Sequence, residues 1–517
     1  MTSCKRALIS VSDKEGIIDL AKGLSKLNID ILSTGGTATA LRNAGIRIKE
    51  VSEFTDFPEM LDGRVKTLHP IIHAGILAKR DEKDHMDVLK KHKIECIDIV
   101  VCNLYPFEKT IQNPNSSIEE VIENIDIGGP TLIRSAAKNY KSVIVIINIK
   151  QYGQLLKALQ SKEEISLKER QKLAVEAYAH TAQYDSIISQ YLADRWTDQI
   201  LPDAHTLTMR KIQDMRYGEN PHQKGAFYRS LPRVTEPCIS NAVKLQGKEL
   251  SFNNILDADC AIECIKEFKN HTCVIIKHAT PCGIASSDNL LQTWKDAYAT
   301  DIYSPFGGIV SFNRELGKDV SMELSNYFLE VIIAPSFSKE ALSIFSKKKN
   351  LRLLECKGLD KKIVRGGTTF RSVVGGFLVQ DRDVLLSNRK NWKFVTKKKP
   401  SKKELEAMVF AVKCVKHVKS NSVLFVKDTH TVAIGGGQTS RVDAAWIATH
   451  KGKKNIRGSI MASDAFFPFR DAVDVAAKAG VGAIIQPGGS IRDKEVIEAA
   501  DENGISMVFS GQRYFRH

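Results

Sequence analysis

The sequence predicts an α/β protein of two units, and three observations support this fold class. The chain has 517 residues, which is more than one hydrophobic core usually holds. Hydrophobic residues make up 43% and charged residues 26% of it, as in an ordinary globular protein. Short apolar segments alternate with segments whose apolar residues recur every three or four positions. In the N-terminal part this alternation favours a parallel sheet with helices on both faces.

The N-terminal part begins with a strand and a helix. Ala7–Val11 is a short apolar run that predicts the first strand. Ser12 and Glu15 have the spacing of a capping box, which predicts a helix start at this point. The apolar residues from Ile17 to Leu24 share one face of the helix that follows.

Three further strands and a long helix are predicted in the same unit. The strands are Ile29–Leu32, Ile97–Leu104 and Ser142–Ile149, and the helix is Ser166–Trp196, with Leu173, Ala174, Ala177 and Tyr178 on one side. Leu201–Asp203 carries the turn chemistry of a boundary. We therefore predict one domain over residues 1–200 and a second over 201–517.

The C-terminal part also alternates strands with helices. The predicted strands are Cys273–Ile276, Ile309–Ser311, Val423–Val426, Val432–Ile434 and Ala483–Ile485. The first and the third of these are each followed by a lysine and then by turn residues. This repetition is compatible with two related sub-domains but does not by itself establish them.

Charge and cysteine content narrow the function. The net charge is +15, but much of the excess lies in lysine-rich runs at 347–349, 397–399 and 451–454 that lack interleaved aromatic residues. Such runs indicate solvated surface rather than a nucleic-acid platform. The ten cysteines lack metal-ligand spacing, so we expect reduced cysteines and no metal site. No apolar run has the length of a membrane span and no signal-peptide pattern is present, so we expect a cytoplasmic protein without a membrane partner.

Three N-terminal segments predict a phosphate-binding site. Ser33–Thr37 is a strand-to-helix turn whose glycines let backbone N–H groups face an anion at a helix N-terminus. Ser10–Lys14 places hydroxyl groups and an ammonium group at the corresponding turn after the first strand. Leu61–Pro70 adds two cations. One such turn is usually only a turn, whereas three in a single unit indicate a site.

A fourth segment adds groups that can move protons. Asp126 precedes a helix start that has Pro130 in its first turn. Lys138 lies further along that helix, and Tyr105 follows an apolar strand. A lysine, a tyrosine and an aspartate can together transfer protons without a metal. The alternative interpretation is a surface lysine, a capping aspartate and a core tyrosine.

The C-terminal part contains a strand end of the same kind. The apolar run Cys273–Ile276 leads directly into Lys277 and His278, and Pro281 and Gly283 then end the strand. Ligands of open α/β sheets bind beyond the carboxyl ends of the strands. A lysine and a histidine there can supply a positive charge and a proton acceptor to one substrate. The alternative is a strand end that merely carries two polar residues.

Other C-terminal segments are rich in polar, aromatic and turn residues. They are Arg216–Gln223, Gln246–Asn254, Ser304–Gly308, Ser420–Ser422, Gly435–Arg441 and Ser463–Asp471. The last of them sets three phenylalanines beside charged groups, a mixture that suits a flat aromatic ligand next to an anion. Each segment alone could be an ordinary loop.

With these motifs in this order, the chain resembles the bifunctional purine-biosynthesis enzymes that join AICAR transformylase to IMP cyclohydrolase, and its compact length is similar to that of the bacterial type. The resemblance runs from Ser10 to Arg513, with its strongest marks at Leu61–Pro70, Asn103–Phe107, Asp126–Gly129, Ala137–Asn139, Lys277-His278 and Ser463–Asp471. It implies a methylglyoxal-synthase-like parallel-sheet domain up to about residue 200. The transformylase that follows would consist of two cytidine-deaminase-like sub-domains.

For the C-terminal part, the resemblance implies formyl transfer from 10-formyltetrahydrofolate, a folate co-substrate, to AICAR, which gives FAICAR. His278 would act as the base and Lys277 would stabilise the oxyanion, without a metal. The implied nucleotide contacts are Arg216, Tyr217, Asn421 and Phe466, and the implied folate contacts are Arg441, Asp471, Ser490 and Arg513. The resemblance also implies a homodimer with its transformylase sites at the subunit interface.

For the N-terminal part, the resemblance implies cyclisation of FAICAR to IMP with loss of water. Lys138, Tyr105 and Asp126 would handle protons. The implied nucleotide and phosphate contacts are Ser12, Lys14, Thr34, Gly35, Gly36, Thr37, Arg64, Lys66, Thr67 and Asn103.

Two departures from the family pattern and two other functions remain to be weighed. Gly308 stands where animal-type members carry an aspartate, so it is left out of the site, and Ile302–Pro305 is an unusual lead into that segment. Retention of only one activity is an alternative, although both motif sets are intact. A basic protein that binds nucleic acid non-specifically is another, but it leaves the ordered polar strand ends unexplained.

Overall fold

The structure, a computed structural model, describes residues 4–161, 165–361 and 363–517, without the side chain of Asp62. The chain divides into two units. The N-terminal unit is Met1–Thr208 with Ser230–Pro232, and the C-terminal unit is Met209–Arg229 with Arg233–His517. The boundary predicted at residues 201–203 lies shortly before this division.

The N-terminal unit is built on a five-stranded parallel sheet in the order β3-β2-β1-β4-β5. Its strands are β1 (Arg6–Val11), β2 (Asp30–Ser33), β3 (Lys49–Glu50), β4 (Ile99–Asn103) and β5 (Ile144–Ile146). Its helices are α1 (Ile17–Lys26), α2 (Gly35–Asn43), α3 (Val51–Thr55), α4 (Pro70–Leu77), α5 (Lys83–Lys91), α6 (Phe107–Gln112), α7 (Ile118–Glu123), α8 (Gly128–Lys138), α9 (Tyr152–Gln160) and α10 (Leu167–Trp196).

Helices cover both faces of this sheet, as predicted. Strand residues alternate between the faces, so that Val100 packs with the core formed by α4, α8 and α10. Its neighbour Val101 packs on the other side, with α1 and α9. Because both faces are buried, the strands read as continuous apolar runs.

The capping box predicted from Ser12 and Glu15 is wrong. Helix α1 begins at Ile17, after Gly16 with φ 68° and no side-chain cap. The preceding segment is a turn instead, because Asn103 Oδ1 accepts the backbone N–H groups of Ser12 and of the next residue at 2.7 and 2.9 Å. A tertiary contact from β4 thus replaces the local cap.

One further prediction in this unit needs correction. The strand expected over 142–149 is only three residues long, because the chain turns into a short 3₁₀ segment at Ile149–Gln151. In α10, Ala174 and Ala177 are buried, whereas Tyr178 on the same predicted side is 38% exposed. The helix itself begins where predicted, with a capping box between Ser166 and Glu169.

The C-terminal unit has many short elements. Its strands are β6 (Thr208–Asp214), β7 (Ala226–Leu231), β8 (Val243–Gln246), β9 (His271–Lys277), β10 (Thr280–Ser287), β11 (Gly308–Phe312), β12 (Leu329–Ala334), β13 (Arg352–Glu355), β14 (Thr368–Val373), β15 (Gly376–Asp381), β16 (Lys393–Phe394), β17 (Val423–Lys427), β18 (His430–Gly435), β19 (Ile460–Ser463), β20 (Ala483–Gln486) and β21 (Ser506–Phe509). Its helices are α11 (Phe252–Ile265), α12 (Leu290–Ala299), α13 (Lys318–Leu324), α14 (Lys339–Phe345), α15 (Lys402–Val415), α16 (Arg441–Gly452), α17 (Asp471–Lys478) and α18 (Asp493–Glu502).

One 12-stranded mixed sheet organises this unit, in the order β16-β21-β20-β19-β17-β18-β10-β9-β11-β12-β13-β8. β18 and β10 form the central antiparallel pair of the sheet. Read outward from this pair, the strands follow β18-β17-β19-β20-β21-β16 on one side and β10-β9-β11-β12-β13-β8 on the other, so the two halves have the same strand order relative to the chain. Each half has two antiparallel central strands, three parallel strands and an antiparallel edge strand. The two predicted sub-domains are therefore confirmed.

The two halves also correspond residue by residue around the sheet centre. Helices α11 and α15 are both 14 residues long and both begin with a capping box, at Ser251 and Ser401. The strands β9 and β17 that follow end at Lys277 and Lys427. The hairpin after Lys277 thus has a counterpart in the second half.

Strand β9 is buried on both faces, which fixes its polar end in place. Val274 and Ile276 pack with α11 and α15, whereas Cys273 and Ile275 pack with α12, α13 and α14. Among the helices of the described ranges, none is long and apolar enough to pass through a membrane.

Candidate active sites

A cavity of about 690 Å³ lies at the carboxyl end of the N-terminal sheet. Its walls are the segments that follow β1, β2 and β4, residues 63–67, and residues 122–129, which lead into α8. Of the residues predicted for this unit, the lining includes Ser12, Lys14, Thr34, Gly35, Gly36, Thr37, Arg64, Lys66, Thr67, Asn103, Tyr105 and Asp126. Segments far apart in the sequence therefore meet in one site.

Positive charge is concentrated where α2 begins. A Cβ atom at Gly35 would lie 3.0 Å from Lys66 Nζ, and one at Gly36 would lie 3.7 Å from Lys14 Nζ. Gly35 has φ 53°, a left-handed conformation that glycine adopts without a steric penalty. Two ammonium groups thus stand beside the free N–H groups of a helix N-terminus, an arrangement that favours an anion such as phosphate.

Two predicted ligand contacts mainly shape the cavity wall. Thr37 Oγ1 accepts the Val11 N–H at 3.1 Å and donates to the Val11 carbonyl at 2.9 Å. The Asn103 side chain holds the turn after β1 and also donates from Nδ2 to the Asp13 carbonyl at 3.0 Å. Both side chains fix the end of β1 against its neighbours.

Arg64 forms an ion pair at the exposed rim of the cavity. Its guanidinium donates to the Glu123 carboxylate from two nitrogens, with Nε at 3.2 Å. Both side chains are more than half exposed. Sequence reasoning missed Glu123, because an acidic residue at the end of a short helix resembles any solvated surface residue.

The Asp126 carboxyl is held at the start of α8. Its Oδ1 accepts the Gly129 N–H at 2.8 Å, and burial raises the pKa of Asp126 above its ordinary value. Tyr105 lines the same cavity and is 43% exposed, so it is not a core tyrosine. A carboxyl group with a raised pKa is suited to proton transfer near neutral pH.

Lys138, the third predicted proton-handling residue of this unit, does not line the cavity. It is exposed on the last turn of α8, and Asp126 lies just before the first turn. A helix of 11 residues spans about 15 Å. Its catalytic role stays a prediction.

In the C-terminal unit, Lys277 and His278 form the tip of the β9–β10 hairpin. Lys277 Nζ donates to the Phe306 carbonyl at 2.7 Å, and His278 is exposed. His278 and Ala279 both have left-handed backbones, with φ 54° and 55°, which non-glycine residues seldom adopt. The Asp257 carboxylate stabilises this turn by accepting their backbone N–H groups at 3.2 and 2.6 Å.

Sequence reasoning missed Asp257. A single carboxylate on the amphipathic helix α11 resembles a surface residue, and only the tertiary fold places it under the hairpin.

Three other predicted residues of this unit share a network around a buried aspartate. Arg441 donates to Asn421 Oδ1 at 2.7 Å, to Asp464 Oδ1 at 2.8 Å and to the Phe466 carbonyl at 3.1 Å. Asp464 is fully buried and was not predicted. Arg441 therefore ties the predicted nucleotide residues Asn421 and Phe466 together.

The remaining predicted residues have contacts of their own. The Arg216 guanidinium lies 5.9 Å from the Tyr217 ring centroid, and that of Arg513 lies 4.4 Å from the Phe515 ring centroid. Asp471 begins α17, and Ser490 Oγ accepts the Arg492 N–H at 3.1 Å. Within the described ranges, no hydrogen bond joins these residues to Lys277 or His278.

These features define the class of the protein: a two-unit α/β protein with a cavity suited to an anion in one unit and a Lys-His hairpin in the other. Within the part of the chain that the structure describes, no group of His, Cys, Asp and Glu residues could hold a metal ion.

Comparison with known proteins assigns the family. The family model described as the AICARFT/IMPCHase bienzyme matches residues 136–451. The model of the MGS-like domain matches residues 16–131. The chain belongs to the AICARFT/IMPCHase bienzyme family.

Curated relatives match along their whole length. The bifunctional purine biosynthesis protein PurH of Acetivibrio thermocellus is 50% identical over 99% of this chain and 100% of the relative. The proteins of the same name from Caldicellulosiruptor saccharolyticus and Persephonella marina are 49% and 50% identical, with the same coverage. A solved chain titled "Crystal structure of ForH" is 32% identical and covers 36% of this chain and 98% of its own, with a TM-score of 0.33.

Proposed function

We propose that this chain carries out both reactions that its family joins. The C-terminal unit transfers a formyl group from 10-formyltetrahydrofolate to AICAR, and the N-terminal unit closes the product, FAICAR, to IMP with loss of water. The observation that carries the proposal is the cavity in which the residues predicted for the cyclohydrolase, apart from Lys138, meet. Relatives that match end to end under a bifunctional name support the pairing of the two activities.

In the cyclohydrolase reaction, the carboxamide nitrogen of FAICAR attacks the formyl carbon of the same molecule. Because the attack is intramolecular, holding the two groups in the correct orientation removes much of the barrier. Lys14, Lys66 and the N-terminus of α2 would bind the phosphate and so fix one end of the substrate. The imidazole ring of the substrate, with its carboxamide and formylamino groups, would then lie toward Asp126 and Tyr105.

Proton transfer completes the ring closure. The attacking carboxamide nitrogen must lose one proton and the formylamino nitrogen must lose another, and the formyl oxygen must gain two protons before it leaves as water. Asp126 can accept a proton as carboxylate and return it as carboxylic acid, and its raised pKa brings the two forms closer in population near neutral pH. Tyr105 lies in the same cavity as a second hydrogen-bonding group.

In the transformylase reaction, the 5-amino group of AICAR attacks the formyl carbon of the folate. This amine is a poor nucleophile because its lone pair is delocalised toward the carboxamide, so removal of its proton is needed. His278 would accept that proton at the hairpin tip. Lys277, with its ammonium group held 2.7 Å from the Phe306 carbonyl, would stabilise the oxyanion of the tetrahedral intermediate. Collapse of this intermediate would break the bond between the formyl carbon and N10 of the folate, which takes up a proton and leaves as tetrahydrofolate.

A homodimer is part of this proposal. Phe306 and Phe328, whose ring centroids are 4.9 Å apart, are 71% and 53% exposed beside the Lys277 contact. Large exposed aromatic groups next to a catalytic hairpin are typical of a surface that another chain covers. Sedimentation analysis should give a dimer, and dilution below its dissociation constant should reduce transformylase activity before cyclohydrolase activity.

One assay tests the whole proposal. Purified protein is given AICAR and 10-formyltetrahydrofolate, and formation of tetrahydrofolate and IMP is measured. We expect both products. FAICAR supplied alone should also give IMP, and failure of both assays would overturn the assignment.

A further inference from the structure

The cavity strap, which we define as Ile122–Ile127, forms one wall of the N-terminal cavity. It joins α7 to α8 and carries Asp126. The position of the Asp126 carboxyl therefore depends on what holds the strap from behind.

A buried tyrosine of α10 binds the strap backbone at two points. Tyr184 Oη accepts the Asp126 N–H at 2.8 Å and donates to the Asn124 carbonyl at 3.1 Å. Burial raises the pKa of Tyr184 to about 12, so the hydroxyl keeps its proton for the second of these bonds. One hydroxyl group thus satisfies a donor and an acceptor on either side of residue 125.

Packing fixes the position of that hydroxyl. Tyr184 is 8% exposed, and its ring meets the buried ring of Phe107 edge-on, with centroids 6.2 Å apart. Tyr191 of the same helix meets Phe107 from another side, at 5.7 Å. The phenol therefore reaches the strap from a rigid part of the core.

We infer that Tyr184 is a positioning residue for the cyclohydrolase: its hydroxyl fixes the cavity strap and thereby the Asp126 carboxyl, without contacting the substrate. The inference rests on the proposed function of this cavity. The side chain and the backbone of Asp126 are held separately, by Gly129 at the start of α8 and by Tyr184. Loss of the second anchor should displace the carboxyl while the phosphate-binding groups at α2 stay in place.

The test is Tyr184→Phe, which removes one oxygen atom and keeps the ring. We expect kcat for FAICAR cyclisation to fall about tenfold to a hundredfold, because a displacement of about 1 Å from productive geometry can cost that much. KM for FAICAR should stay near the wild-type value, since the phosphate contacts are untouched. Transformylase activity of the same chain serves as the internal control and should be unchanged.

A matched control is Tyr191→Phe. It makes the same change on the same helix against the same partner ring, but the Tyr191 hydroxyl makes no hydrogen bond within the described residues. Its cyclisation kinetics should equal those of the wild type. A similar fall of kcat in both variants, or wild-type kcat in Tyr184→Phe, would overturn the inference. Absence of cyclisation in the wild-type chain would instead refute the proposed function.

Hydrogen exchange of the wild-type protein gives a second test that does not depend on the stability of the variant. The Asp126 amide should exchange slowly although its segment lines an open cavity, because Tyr184 accepts its hydrogen bond. Rapid exchange of this amide in the folded protein would contradict the inference.

Discussion

The two candidate sites of this protein differ in how many of their predicted residues come together in one place. In the N-terminal unit, five chain segments converge on one cavity, and hydrogen bonds from α8 and α10 fix the side chain and the backbone of Asp126, respectively. In the C-terminal unit, Lys277 and His278 stand on an exposed hairpin, and the other predicted residues form separate groups. The difference fits the proposed functions, since an intramolecular ring closure takes place within one substrate, whereas formyl transfer has to bring two substrates together.

The two halves of the C-terminal unit sharpen this contrast. Lys277-His278 and Lys427-Asp428 occupy corresponding hairpins, and His278 and Asp428 both have positive φ, at 54° and 48°. In the first half, Asp257 supports the hairpin backbone. In the second, Asp428 forms an ion pair with Lys403 at 2.9 Å. The same scaffold therefore carries a potential base on one side and an ion-paired carboxylate on the other.

The largest expected effect comes from His278→Ala. Loss of a general base reduces rates by about 10²–10⁴, and we expect transformylase activity to fall by this amount. Cyclisation of added FAICAR should be unchanged. Asp428→Ala, the corresponding change in the second half, should leave both activities intact, and a comparable loss there would show that the two hairpins are not functionally distinct.

Asp126→Asn should affect the other unit alone. We expect cyclisation to fall by about 10²–10³, the lower part of the range for loss of an acid-base group, while transformylase activity is retained. Because burial raises the pKa of Asp126, the wild-type rate should decline on acidification at a pH above about 4, the ordinary carboxyl range. That decline should be absent in Asp126→Asn, and its persistence would assign it to another group.

Comparison of Lys66→Ala with Lys138→Ala tests whether the lysine that lines the cavity or the lysine assigned a catalytic role by resemblance matters more for cyclisation. Lys66 lines the cavity and Lys138 does not, so we expect Lys66→Ala to raise KM for FAICAR by about tenfold to a hundredfold, the cost of one charge-assisted contact of about 1.5–3 kcal/mol. Lys138→Ala should have a smaller effect on the same assay. The reverse order would mean that the catalytic arrangement differs from the one described.

The smallest effect expected is that of Asp257→Asn. The amide keeps one oxygen but places an NH₂ group against a backbone N–H, so one of the two bonds that support the His278 turn is lost. We expect transformylase activity to fall about tenfold, which corresponds to about 1.4 kcal/mol. Cyclohydrolase activity is the control, and an equal loss of both would indicate general destabilisation instead.

Much of the fold could be predicted from local pattern. Apolar runs such as Cys273–Ile276 and Val423–Val426 became central strands because they are buried on both faces. The Ser12–Glu15 capping box failed for the opposite reason, since a bond from distant Asn103 outweighed the local one. Periodicity reports burial reliably, but it contains no information about contacts between residues far apart in the chain.

By itself, the sequence determined the strand-end placement of Lys277-His278, the glycine turn at the start of α2 and the membership of the chain in its family, because these depend on residue types at short spacing. Only the tertiary structure decided that Lys66 lines the cavity, whereas Lys138 lies at the far end of α8 from the cavity. It alone placed Asp257 under the hairpin and Tyr184 behind the strap. These positions depend on contacts between helices and loops separated by tens of residues, which packing fixes and local pattern does not record.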